Sequence, residues 1–246
     1  MKKTLVILGL SVSLCAQAFA YSQGDVDLLK STNNCPGGDL SGAFLQDADL
    51  TGANLSEANL SYANLSNAVL ENANLHNANL QKANLRKAYM ASADLTNADL
   101  SSATITGAVL NKASLVGVTA YRTNFAHSLL NFTNLYSADL REANLDYAVC
   151  AYANFTSANL AQGWFFETVL NNANLSSANL FNAKMKKASL ISTKLTDTNL
   201  TSAYLRNADL SKAELTNANL DNADLVYANL ENAKLSGTSL KTARLK

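Results

Sequence analysis

Apolar and polar residues alternate along this chain with a period of five, as in Asp49-Leu50-Thr51-Gly52-Ala53-Asn54-Leu55-Ser56-Glu57-Ala58-Asn59-Leu60. An amphipathic helix repeats its apolar face near every 3.6 residues and a half-buried strand every second residue, so a strict period of five requires a chain that turns a corner at each repeat. Every fifth residue from Leu40 to Leu245 gives 42 central positions, of which 34 are Leu. The other eight are Met90, Ile105, Ala120, Phe125, Cys150, Phe155, Phe165 and Met185. Two residues before each centre, 32 of 42 positions are Ala, and the rest are Gly, Ser, Thr or the single Val118. No charge occurs in either column, while Glu57, Lys82, Arg86, Lys112, Glu142 and Lys187 stand in the others. A packed interior tolerates neither excess volume nor unpaired charge, so both columns point inward, one large and one small. Val118 enlarges the small column where Ala120 shrinks the large one, which is the volume exchange a tight interior demands.

The run A-[ND]-L-x-x from residue 38 to the end resembles the pentapeptide-repeat family. The resemblance implies an all-β, right-handed quadrilateral β-helix in which four pentapeptides form one coil of about 20 residues. On that reading 42 repeats make about ten coils, and at a strand spacing of roughly 4.8 Å the prism is about 50 Å long. Asn or Asp fills 23 of the 42 positions just before the centre. Their side chains suit corners, where they bond nearby backbone, and stacked copies form ladders.

The chain divides into three parts. In residues 1–20, Lys2 and Lys3 precede the apolar run Leu5 to Leu14, and Ala18-Phe19-Ala20 offers small residues for cleavage, the pattern of a secretory signal peptide. Cys15 follows the bulky Leu14, which argues against lipidation. Residues 21–37 form an N-terminal cap, with Val26, Leu28 and Leu29 suggesting a short helix or turn over the first coil. Cys35-Pro36-Gly37-Gly38 resembles a C-x-x-C lead-in found in exported family members, with Gly38 in place of the second cysteine. Residues 38–246 are the β-helix. The expected product is exported, periplasmic or extracellular, and has no integral membrane segment after cleavage. Cys35 and Cys150 lie more than five coils apart, on the order of 25 Å, too far for a disulfide.

Candidate chemistry is sparse. His76 and His127 stand 51 residues apart, outside any metal or nucleophile motif, and the acidic residues are dispersed over outer columns. The sequence therefore points to no catalytic residue, no metal and no cofactor. Members of the family that resemble duplex DNA protect topoisomerases, but charge opposes that role here. The 19 basic and 19 acidic residues become 17 and 19 once Lys2 and Lys3 are removed, a net of −2. Duplex DNA of the same length carries roughly 30 negative charges. Nucleic-acid binding is likewise not implied.

Sorting the position before the centre in steps of 20 exposes one feature. Val69, Tyr89, Val109, Leu129, Val149 and Val169 fall on six successive coils of one face, about 24 Å long. Only nine residues of that column are apolar, so six of the nine form one stripe. Phe132 and Tyr152 lie beside its middle, with Tyr147, Trp164 and Phe166 near the preceding corner. Two readings stand: an interface for an unknown protein partner or a homodimer, or a stack of good sheet formers with structural duty alone. The corresponding functions are a protein-binding or scaffold module and an envelope-associated structural rod.

Overall fold

In the computed structural model, residues 21–245 are described; the expected signal peptide, Cys15 within it, and Lys246 lie outside them. From Asn34 to Arg244 the chain climbs in coils of 20 residues. Each residue just before a centre forms a parallel bridge to the one 20 positions on, as in Asn54↔Asn74, Asn59↔Asn79, Asn64↔Asn84 and Val69↔Tyr89. Four such bridges per 20 residues make the coil four-sided. Each strand is reduced to a single bridging residue, because a turn follows every five residues and leaves no room for a longer ladder.

One hydrogen-bond set repeats throughout. The Leu55 N–H donates to Asn74 O at 2.7 Å, the Asn74 N–H to Ala53 O at 2.8 Å, and the Glu57 N–H to His76 O at 2.8 Å. The turn is closed by Ala58 N–H donating to Leu55 O at 3.2 Å. Two residues after each centre the backbone enters the left-handed region: Glu57 has φ 60°, Lys82 56° and Tyr152 61°. The corner falls there, and this corrects the expectation that the Asn column sits at corners. Those asparagines occupy the bridging position and reach forward to cap the turn, as Asn54 Oδ1 accepts the N–H of Ser56 at 3.3 Å. The ladders form as expected, with Asn84 Nδ2 donating to Asn64 Oδ1 at 3.0 Å and Asn199 Nδ2 to Asn179 Oδ1 at 3.0 Å.

The large and small columns fill the interior in one continuous cluster, with Val118 and Ala120 both fully buried. Where the small column carries Thr or Ser, the hydroxyl donates to the carbonyl of a centre 23 residues earlier. Examples are Thr123 to Leu100 O, Thr133 to Leu110 O and Thr168 to Leu145 O, at 2.6, 2.9 and 2.8 Å. Leu145 O also accepts the Ala148 N–H at 2.9 Å, so removing the Thr168 hydroxyl leaves that carbonyl one partner. Thr168→Val keeps the volume and loses the bond; chemical denaturation should show a loss of about 1 kcal/mol, and an unchanged midpoint would mean the hydroxyl is energetically idle.

Helix α1 (Gln23–Thr32) lies over the first coil. Ser22 Oγ caps it by accepting the Asp25 N–H, and Asn33 ends it in the left-handed region at φ 57°. Val26 and Leu29 are buried in the same core as the leucines. The edge of the coil is partly satisfied from this side, because Asp39 O accepts the Ser22 N–H and Asp25 Oδ2 accepts the Asp39 N–H, both at 2.9 Å. Gly38 has a steric reason: a Cβ there would run into Cys35 Sγ.

Candidate functional site

The stripe exists as a bridged column, Asp49↔Val69↔Tyr89↔Val109↔Leu129↔Val149↔Val169↔Ser189. The four valines are half-buried by their neighbours above and below, while Tyr89 and Leu129 are exposed. Asparagine in this column would cap the following turn, and at two of the stripe's six positions the fold supplies that bond elsewhere. Under Leu129 the Asn131 N–H donates to Asn111 Oδ1 at 2.9 Å, and beyond Val149 the Ala151 N–H donates to Asn131 Oδ1 at 3.1 Å. An amide from the coil below does the work of the missing one, which frees the middle of the stripe to be apolar.

Beside it the expected rings do come together. Phe132 and Tyr152 stack at 5.0 Å and 4° in the corner column that follows the stripe, exposed by 56% and 55%. At the opposite corner Tyr147 packs edge-on to Phe166 at 5.3 Å. His127, which sequence reasoning left without a role, stacks flat on Tyr147 at 4.8 Å and 2°; the 20-residue spacing between them was the available signal. Phe132, Tyr147 and Tyr152 have φ of 59°, 60° and 61°. Bulky residues are unfavourable in that region, where Gly and Asn are at ease, so turn formation does not account for the rings.

Trp164 is not part of this cluster. It bridges Asn144 and Lys184 on the preceding face, where it lines a shallow groove of about 630 Å³ with Arg122, Asn124, Glu142, Asn144, Gln162, Asn182 and Lys184. The sequence places it near the corner with Tyr147 and Phe166; those two stand in the turns at 146–147 and 166–167, while Trp164 lies two residues before the turn, on the preceding face. Arg122 Nε lies 2.7 Å from Glu142 Oε2, and this bond holds the Glu142 carboxyl below the ordinary carboxylate range.

The core thiols are free and buried. Burial pushes the Cys150 thiol far up, and burial together with the nearby Asp25 charge raises Cys35, so neither is a reactive thiolate. Phe125, Phe155 and Phe165 are fully buried in the large column. Among the described residues no group of three His, Cys, Asp or Glu side chains is placed to hold a metal, and no helix is long and apolar enough to cross a membrane.

A family model described as pentapeptide repeats matches in 8 copies between residues 37 and 237. Among solved structures, HetL, a pentapeptide-repeat protein involved in heterocyst differentiation regulation in the cyanobacterium Nostoc sp. strain PCC 7120, is 33% identical. The match covers 83% of this chain and 86% of HetL, with a TM-score of 0.48. QnrB1, a plasmid-mediated fluoroquinolone resistance protein, is 18% identical over 63% of this chain and 86% of its own, with a TM-score of 0.54. A pentapeptide-repeat protein of the Arabidopsis thaliana thylakoid lumen is 22% identical over 48% of this chain and 68% of its own, with a TM-score of 0.32. No curated protein matches.

Proposed function

This chain belongs to the pentapeptide-repeat family, and from that premise we propose that it is an exported, non-enzymatic protein-binding or scaffold module. It is a right-handed prism of about ten coils that engages a protein partner, or a second copy of itself, through the stripe. The signal-like residues 1–20 support export. The observation that carries the binding role is the unbroken apolar column Val69 to Val169, flanked by exposed rings in backbone positions that disfavour them. Aromatic side chains beside a rigid apolar surface supply contact area at little entropic cost, since the prism has nothing left to order.

A second reading, an envelope-associated rod with no discrete site, is favoured by the half-burial of Val69, Val109, Val149 and Val169 against one another, which is sheet packing in its own right. DNA mimicry has no such support. A protein with 19 basic and 19 acidic residues lacks a duplex-like field, and the likeness to QnrB1 at 18% identity extends to the fold alone.

Leu129→Lys with Val149→Lys tests the proposal on the chain from Tyr21 onward. Lysine is acceptable on an outer strand position, so circular dichroism should be unchanged. Light scattering after size exclusion should show a self-associated species become a monomer, or capture of a partner should be lost. If solution mass and capture both stay as in the parent protein, the stripe is structural stacking.

A further inference from the structure

The groove around Trp164 has chemistry of its own. In its column Asn124 and Asn144 cap their turns, accepting the N–H of Ala126 at 3.0 Å and of Asp146 at 2.8 Å. An asparagine at 164 would do the same for residue 166. Instead the Phe166 N–H donates to Asp146 Oδ1, from the coil below, at 2.7 Å. The fold is therefore satisfied without any contribution from side chain 164, and the indole stands 46% exposed. Lys184, one coil further, brings its ammonium 4.1 Å from the indole centroid, and among the described residues no carboxylate pairs with it. At the other end of the groove Arg122 is matched by Glu142, which leaves one uncompensated positive charge.

The lining is otherwise amide. Asn124 and Asn144 use their Oδ1 atoms on backbone, and their Nδ2 groups have no protein acceptor among the described residues. A peptide strand finds no free edge here, since the N–H groups of Arg122, Asn144, Trp164 and Lys184 are all bonded within the coils. An indole exposed by nearly half with an ammonium over its ring, donor and acceptor amides, and a repeat of about 4.8 Å per coil, comparable to the length of one pyranose unit, suit a different ligand. We propose that this groove binds an acidic polysaccharide strand along the prism axis, with the C–H face of a sugar against Trp164, its hydroxyls on the amides and a uronate-type carboxylate at Lys184. The aromatic face is electron-rich and attracts both C–H groups and cations, while the carboxylate gains a charge-assisted bond.

Trp164 is the single tryptophan of the chain, so its emission reports the groove directly. Titrating the full chain with an oligogalacturonate at low salt should give a saturable change in emission, and Lys184→Gln should weaken the affinity about 10-fold. Trp164→Asn, which restores the common repeat residue, should melt at the same temperature as the parent and lose binding by calorimetry. An uncharged cello-oligosaccharide should give no saturable change. The proposal is overturned by the absence of a saturable response to oligogalacturonate, by a response indifferent to Lys184→Gln, by equal binding of the neutral sugar, or by an equal response to polyglutamate, which would make the groove a general anion surface.

Discussion

Phe155→Ala is expected to lower the unfolding free energy by about 3 to 5 kcal/mol, whereas Leu235→Ala in the last described coil should cost less than about 1 kcal/mol. Phe155 is fully buried in the middle of the stack, and Leu235 is 40% exposed in the last described coil. The difference is more than area. Around Phe155 the backbone is pinned from above and below, its own N–H donating to Asn174 O and that of Asn154 to Thr133 O, so the coil cannot close on the cavity. The leucine at 235 has no coil beyond it among the described residues and its neighbours can relax. Equilibrium denaturation of both variants makes the comparison, with the denaturant slope as a check that the stack still unfolds as one unit. Equal losses at the two sites would show that position along the prism does not govern packing cost.

The second large effect concerns Gly163, one of the few glycines of the small column. A Cβ at this position would lie 2.8 Å from Phe165 Cε2 and 3.0 Å from Leu160 O. The carbonyl is held by the Gly163 N–H itself at 3.1 Å, so the phenyl ring must move, and it is surrounded by core. Gly163→Ala should therefore destabilise by about 1 to 3 kcal/mol despite the entropy it removes from the unfolded chain. Adding Phe165→Leu restores the common Ala-x-Leu pair and should recover most of that loss. Phe165→Leu alone trades a ring for a void. The double-mutant cycle should thus give a coupling of about 1 to 3 kcal/mol; simple additivity would refute steric exchange between the two positions.

Much of this architecture is legible in the chain because inward columns are constrained residue by residue. Neither inward column admits a charge, and the small one admits no large side chain, so the constraint prints itself every five residues, and the Val118 and Ala120 exchange is visible by eye. The Gly163 and Phe165 pair obeys the same rule and can be read in the same way. The Asn column reads as a corner column because its capping bonds reach only two residues ahead, and a cap of that length looks alike whether its owner sits in the turn or just before it. The stripe was legible by counting in twenties. The groove was not: Arg122, Glu142 and Trp164 come from three different coils and two different columns, and they meet only when the coils stack.

By itself, then, the sequence determined the period, the two inward columns, the burial of Phe125, Phe155 and Phe165, and the existence of an apolar line on one face. These follow from volume and charge, which each residue carries wherever it lies. Only the tertiary structure decided which asparagine substitutions are compensated, as Asp146 does for Trp164 and Asn131 for Val149, which rings stack, and which face Trp164 shares with Lys184. Those relations join residues about 20 positions apart, and they come into being only when the coils stack in register.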